Sequence, residues 1–393
     1  MKKNLSKAWS NVRFCTWEYE KQTEMKHKVI KYYLPIWAKI LNKKNMPLSY
    51  IDGFGGIGAY HTMEDVINQC YKSNNYGSPI FSMQEMSNLL KKDQIKSANA
   101  IIIDKKISNI ENIKKIVEHI GIHNVNVNYI HGDFDIEINK FLDKVKVENG
   151  CPNFFLIDPF GFTIKLDTLR RIMSLPATEI LINFMYNAIS RHIKNENYKI
   201  NNIYDELFGV KNWRNFADVV GEEKELALVN LFRDQCKKFA KFVYPFKLNF
   251  PEINRPYYYL FHLSNNYLGC KLMKEAFAAN NKGEFEYRGN RTVQHNFLSS
   301  LGGKHNIPQF NKLCGKCFIL NKKNYCRACI AELIDQKTIT FENFVEKIVD
   351  TIPFTEKEIK NMVNDFEAKQ FLRIVSTRRR RSGLERTDIL NFI

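Results

Sequence analysis

Tyr50-Ile51-Asp52-Gly53-Phe54-Gly55-Gly56-Ile57-Gly58 is the stretch on which the reading of this chain turns. A short apolar run, Ser49–Asp52, ends in an acid and passes directly into a glycine-rich turn. Glycines at a strand end permit tight turns and let the backbone come close to a ligand. In a doubly wound sheet, such a turn sits where the first strand ends and the ligand crevice opens. Gly53, Gly55 and Gly58 satisfy the GxGxxG spacing, which alone is weak, since a glycine-rich turn without ligand has the same letters. Two details argue against a dinucleotide. Asp52 immediately precedes the glycines and suits a ligand carrying an ammonium group more than a pyrophosphate. The next strand-terminal acid, Asp104, lies much further on than the roughly 20 residues of the dinucleotide fingerprint.

Outward from this turn the pattern alternates. Apolar runs at Ala100–Asp104, Val125–Ile130, Phe154–Asp158 and Glu179–Phe184 predict strands. Pro79–Lys92, Ser108–His119 and Leu166–Met173 carry helical periodicity, as does 25–42 before the first strand. The expectation is an α/β, Rossmann-like open sheet, mostly parallel and covered on both faces, over residues 25–280, with 1–24 as an N-terminal extension. Residues 194–245 read as a helical insertion, and Phe246–Phe250 with Tyr257–Leu263 as a closing pair that includes an antiparallel strand. Residues 281–335 hold a cysteine cluster. In 336–393, helical stretches at 341–350 and 355–370 precede the short strands Phe371–Ser376 and Asp388–Phe392, which suggests a winged-helix-like domain.

The glycine stretch resembles the D-x-F-x-G-x-G motif of class I S-adenosylmethionine-dependent methyltransferases, particularly those modifying DNA or RNA. The resemblance implies S-adenosylmethionine as cofactor, held by Asp52, Gly53, Phe54, Gly55, Gly56 and Gly58. Asp104 stands where such enzymes place an acid on the ribose hydroxyls, and Asp133 where a side chain reads the adenine amino group. Asp158-Pro159-Phe160-Gly161-Phe162 is similar to the D/N-P-P-Y/F loop of amino-methyltransferases, which holds an exocyclic amine and stacks an aromatic ring on the base. It departs from that pattern: Phe160 stands at the second proline and Gly161 at the aromatic. The alternative is a strand-end turn with a core phenylalanine, and base identity stays open.

Most of the chain resembles the three-Cys-motif partner family of bacterial and phage proteins. The matching residues include Trp17, Lys26-His27 and Tyr33, the Tyr50–Tyr60 loop, Gly77-Ser78-Pro79, Asp158-Pro159-Phe160-Gly161, Asn183 with Arg191, and the Arg-rich C-terminal segment. This resemblance implies Tyr60 and Ser78 near the cofactor, Arg191 in the catalytic set, where with the C-terminal arginines it would hold phosphates, and a radical-SAM-like protein bearing three cysteines as a possible partner.

Cys314-Gly315-Lys316-Cys317 and Cys326-Arg327-Ala328-Cys329 form two CxxC knuckles, which together complete a tetrahedral S₄ site for a structural Zn²⁺. An iron–sulfur cluster is the alternative. The other five cysteines are scattered, as buried thiols are, and fit a reducing, cytoplasmic compartment. No apolar run approaches a membrane span, and the Lys-rich start lacks a signal-peptide core. The net charge of +17 suits a polyanionic partner, DNA or RNA, although an A+T-rich genome encoding Lys and Asn freely gives the same excess. Arg378, Arg379, Arg380 and Arg381, between two strand-like segments, are the sharpest basic cluster and can track phosphates. The histidines show no ligand spacing. The expected function is methyl transfer to nucleic acid at the Asp158–Phe162 loop; the alternative is a catalytically idle protein that binds S-adenosylmethionine and nucleic acid.

Overall fold

The computed structural model describes residues 7–42, 46–144, 150–250, 253–280, 285–286, 337–350, 355–376 and 383–393. In chain order the first half holds β1 (Lys7–Trp9), β2 (Val12–Glu18), α1 (Lys21–Leu41), β3 (Leu48–Asp52), β4 (Ala59–His61), α2 (Met63–Asn68), β5 (Asn75–Tyr76), α3 (Ser78–Lys91), β6 (Ala98–Asp104), α4 (Ile107–Ile120), β7 (Asn126–His131), α5 (Phe134–Lys144) and β8 (Asn153–Ile157). There follow α6 (Leu166–Met173), β9 (Thr178–Phe184), α7 (Tyr186–His192), α8 (Tyr198–Phe208), a 3₁₀ turn at Asn212–Phe216, α9 (Gly221–Cys236), β10 (Phe242–Phe250), β11 (Ile253–Ser264), α10 (Tyr267–Asn280) and β12 (Phe285–Glu286). The last described elements are β13 (Thr338–Thr340), α11 (Phe341–Ile348), α12 (Glu356–Ala368), β14 (Leu372–Val375) and β15 (Ile389–Phe392).

The central sheet has the order β12-β10-β11-β9-β8-β3-β6-β7. β7, β6, β3, β8 and β9 run parallel, and β11 enters antiparallel between β9 and β10. Strand residues alternate between two covered faces. Tyr50, Ile102, Phe154 and Leu181 point into a core shared with α1, α3, α4 and α10. Their neighbours Ile51, Ile101, Phe155 and Ile182 point into a second core shared with α5 to α9. From β3 the chain winds outward to β6 and β7, then crosses back to β8 and β9. The β3 tip is therefore the switch point where an open α/β sheet leaves its crevice.

Two sequence boundaries move. Residue 25 falls inside α1, and the residues before it are not a bare extension. β1 and β2 pair with β4 and β5 in a second, four-stranded sheet, where Trp17 lies opposite Tyr60. This sheet is tied to α4 by Asn112, whose side chain bonds the backbone N–H (2.7 Å) and C=O (2.9 Å) of Cys15. The stretch 194–245 is helical as far as Cys236, but it is part of the main core, with Tyr204, Phe208 and Phe232 buried against the sheet. Its last residues already belong to β10.

The C-terminal elements form a three-stranded sheet, β13-β15-β14, with two helices. They dock on α9, β10 and α10 through polar contacts at Lys237–Asp350 (2.7 Å), Lys271–Glu356 (2.6 Å), Tyr267–Glu342 (2.7 Å) and Lys241–Glu346. Lys274 is buried and donates to the Val349 carbonyl at 2.8 Å; burial brings its pKa down to about 8. Cys314, Cys317, Cys326 and Cys329, and Arg378 to Arg381, lie outside the described residues.

Candidate active site

The glycine loop spans the switch point by backbone bonds to both neighbouring strands. Gly53 N–H donates to the Leu156 carbonyl at the end of β8, and Gly55 N–H to the Ile103 carbonyl at the end of β6, both at 2.9 Å. Gly56 and Gly58 have φ of +62° and +85°, where a side chain is strained. A Cβ on Gly58 would also meet Ile113 of α4 at 2.9 Å.

In front of this loop opens a cavity of about 820 Å³, a size suited to a small molecule. Gly53, Asp104, Asp133 and Phe134 form its inner wall, and Trp17 and Phe160 its outer lip. Phe54 and Phe134 pack at 5.3 Å between ring centres. Trp17 and Phe160 meet edge to face at 5.6 Å, with Phe160 73% exposed.

Asp104 is buried, and its carboxylate clasps two loops. One oxygen accepts from Gly56 N–H at 2.8 Å, while the other accepts from Lys106 N–H (2.8 Å) and the Asn109 amide (3.0 Å). Each carboxylate oxygen has two lone pairs, so the oxygen facing Gly56 keeps acceptor capacity. Asp133 is half-exposed on the same wall, with Lys105 Nζ at 3.7 Å.

Asp52 does not line the crevice. It is fully buried beneath the loop, where it accepts from the Tyr50 hydroxyl (2.9 Å), the Phe54 N–H (3.2 Å) and Ser78. Burial first, with the nearby charge of Asp158 adding to it, pushes its pKa up to about 6. Asp52 and Ser78 thus shape the loop from below. Tyr60 lies close to Asp52 and Asp158 within a ring cluster of Tyr19 and His27, and burial raises its pKa far above the ordinary range. Burial also keeps His27 neutral, with neighbouring Lys26 and Lys31 reinforcing the effect.

Asp158 leaves β8 with its side chain 23% exposed. It pairs with the buried ammonium of Lys26 from α1 and accepts from the Asn183 amide of β9 at 2.7 Å. Pro159, Phe160 and Gly161 continue along the crevice rim. A Cβ on Gly161 would meet nothing, so that position does not require glycine on steric grounds. Phe162 turns inward onto Tyr204 at 5.0 Å and packs half-buried against the core, which leaves Phe160 as the ring available for stacking. Arg191 is exposed at the end of α7, bonded to Asn187 at 3.4 Å, and does not line the crevice.

Lys26, Asn183 and Trp17 entered the sequence reading only through family resemblance, without a role. Two carried a signal in the sequence. Lys26 interrupts the apolar stripe of α1 formed by Met25, Val29, Ile30 and Tyr33, and Asn183 interrupts the apolar run of β9. Trp17 was invisible, because its place depends on a second sheet that no local pattern announces.

The strand order and the crevice define a mixed α/β protein built on a Rossmann-like, largely parallel open sheet. No protein-family model and no curated protein matches the chain. Among solved structures, it is similar to human methyltransferase-like protein 13 in complex with SAH (10% identity, 66% of this chain and 91% of that one, TM-score 0.32). It is also similar to spermidine synthase from Thermotoga maritima (12%, 76% and 76%, TM-score 0.36) and to Trm1 from Pyrococcus horikoshii with S-adenosyl-L-methionine (10%, 66% and 60%, TM-score 0.34). At these scores the likenesses carry no functional argument. Among the described residues, no three His, Cys, Asp or Glu gather as a metal site, and no helix is long and apolar enough to cross a membrane.

Proposed function

We propose that this chain is a methyltransferase that uses S-adenosylmethionine to modify nucleic acid. The observation that carries the proposal is the wall of the switch-point crevice. A buried carboxylate with spare acceptor capacity (Asp104), a second carboxylate (Asp133) and an aromatic floor (Phe54, Phe134) stand together there, as a nucleoside requires. Asp104 would accept from ribose hydroxyls, Asp133 from an adenine amine, and the Gly53–Gly56 backbone would lie along the remainder of the cofactor. S-adenosylmethionine supplies an electrophilic methyl group on a sulfonium. The protein's work is to orient the acceptor at the Asp158–Phe160 rim and to exclude water, with Trp17 and Phe160 closing the lip.

Nucleic acid as substrate is supported by the net charge of +17 and by the four consecutive arginines. The two helices and three-stranded sheet of the C-terminal segment support a winged-helix reading. A structural zinc on Cys314, Cys317, Cys326 and Cys329 belongs to the same proposal, as does a three-Cys-motif partner protein. A catalytically idle cofactor-binding protein is the second reading, favoured by the ion pair that occupies Asp158.

The test is incubation with methyl-labelled S-adenosylmethionine and mixed DNA and RNA pools, beside thermal-shift titrations with S-adenosylhomocysteine and NAD. Label in nucleic acid supports the enzyme, and binding of S-adenosylhomocysteine without transfer supports the idle protein. Stabilisation by NAD alone overturns both.

A further inference from the structure

The foot of β9, at the end of the sheet opposite the switch point, opens onto a second cavity of about 350 Å³ that shares no residue with the crevice. It is lined by Tyr33 and Trp37 of α1, Leu268, Gly269 and Leu272 of α10, and Glu179 of β9. Trp37 is 2% exposed, and its indole N–H has no hydrogen-bond partner among the described residues. A buried donor without an acceptor is uncommon and calls for a group that completes the bonding. Glu179 is buried as well. Its Oε2 is bonded by the Tyr33 hydroxyl and by His262 Nε2 at 2.9 Å, while Oε1 has no bonded partner among the described residues. A Cβ on Gly269 would collide with Oε1 and with Ser264 Oγ, so the glycine keeps that oxygen approachable. Among the described residues no lysine or arginine pairs with Glu179, and His262 alone stands within ion-pair distance.

We propose that this cavity binds a small amine whose ammonium group meets Glu179 Oε1, whose neutral oxygen accepts from the Trp37 N–H, and whose short apolar body lies along Leu268 and Leu272. The site is separate from the crevice, so it stands or falls apart from the methyltransferase reading. A buried carboxylate is costly to hold unless a donor and a counter-charge reach it, and an ammonium group supplies both. The rings of Tyr33 and Trp37 add attraction, because a cation is drawn to the face of an aromatic ring. The indole N–H and an ammonium group both only donate, so the ammonium cannot satisfy Trp37 and the ligand needs an acceptor of its own. A second carboxylate, as in a free amino acid, would bring another negative charge close to Glu179. An amide or hydroxyl oxygen avoids that repulsion. The volume is at the low end for ligand cavities and suits one small molecule.

Leucinamide carries all three parts. Its analogue 3-methylbutylamine lacks the carbonyl oxygen, and 4-methylpentanamide lacks the amino group. Each is titrated calorimetrically into the full chain at about pH 6.5, where the leucinamide amine is protonated. The same titrations are made with Trp37→Phe and Glu179→Gln, both checked for folding by thermal melting. Leucinamide is expected to bind wild type saturably in the millimolar range, and 4-methylpentanamide at least about tenfold more weakly, the loss of a charge-assisted bond. Glu179→Gln is expected to weaken both amines by a similar factor. Trp37→Phe is expected to weaken leucinamide yet bind 3-methylbutylamine as wild type does, since that amine has no oxygen for the indole. Should Glu179→Gln fail to fold, the comparison of leucinamide with 4-methylpentanamide on wild type still decides the role of charge. No saturable binding of leucinamide by wild type overturns the inference and leaves a cavity for water only. Equal affinity for the neutral amide overturns it, and so does leucinamide affinity unchanged in Trp37→Phe. Complete displacement of leucinamide by S-adenosylhomocysteine would place the amine in the crevice and also overturns it.

Discussion

Asp104, at the tip of β6, accepts a 2.8 Å hydrogen bond from the backbone N–H of Gly56, 48 residues earlier in the chain. The contact fixes the glycine loop against the neighbouring strand and sets the crevice wall. A single carboxylate thereby organises protein backbone and still has capacity for a ligand.

Asp104→Ala leaves the Gly56 N–H and the Asn109 amide without their partner, and a buried unsatisfied group costs about 1–3 kcal/mol. Asp104→Asn keeps one acceptor and loses the charge. We expect Asp104→Ala to lower stability by that order in chemical denaturation. Both variants are expected to weaken S-adenosylhomocysteine binding at least about tenfold, the loss of a charge-assisted bond. Equal affinity in both would remove Asp104 from the ligand site.

Asp52 makes stability depend on pH in an unusual direction. Its folded-state pKa of about 6 lies above the ordinary 3.8, so between these values the unfolded chain releases a proton that the folded chain retains. Asp52 favours folding fully below pH 4, and that contribution is lost as pH rises through 6. Asp135, also raised to about 6 by burial, acts in the same sense. Asp52→Asn is therefore expected to gain on the order of 2 kcal/mol over wild type at pH 7.5 and to lose that advantage at pH 4. Denaturant titrations at the two pH values measure it. A variant less stable at both would mean that the lost charge, not burial, governs this position.

Removing Lys26 leaves Asp158 without its counter-charge. Because Asp158 is partly exposed, Lys26→Met is expected to cost about 1–3 kcal/mol, less than for a fully buried pair. Adding Asp158→Asn is expected to restore part of the loss, read as a coupling energy in a double-mutant cycle. Strict additivity would mean that the pair contributes nothing.

Phe160 is 73% exposed, so Phe160→Ala is expected to leave the melting temperature unchanged. Its ring lines the crevice beside Trp17, and stacking on a base contributes about 1–3 kcal/mol. Nucleic-acid KM is expected to rise about tenfold while thermal stability holds. A melting loss with unchanged KM would make Phe160 part of the packing.

The parallel sheet was legible because most of its strands are short, largely apolar runs bounded by turns and helical periodicity. Leu166–Met173 coincides with its predicted helix, Pro79–Lys92 and Ser108–His119 differ by one residue at each end, and 25–42 begins four residues earlier, at Lys21. The three strand-end acids were legible as well, but not their different fates. Asp52 and Asp104 follow similar apolar runs, yet one is sealed under the loop and the other faces the cavity. That distinction depends on Tyr50 and Ser78 closing over Asp52, a tertiary fact. Likewise, nothing local in β2 announces that Trp17 reaches the crevice lip, since its position depends on parallel pairing with a strand more than forty residues later. Lys26 and Asn183 were the most readable omissions, as polar residues inside apolar patterns.

The central claim is that the switch-point crevice accepts a thioether or sulfonium nucleoside. Isothermal titration of S-adenosylhomocysteine into the purified protein tests it most directly. One equivalent is expected to bind to wild type and none to Gly56→Val, which forces a branched side chain into a left-handed backbone position beside Trp17. No heat of binding from a folded wild-type protein, or equal binding by the valine variant, would contradict the account.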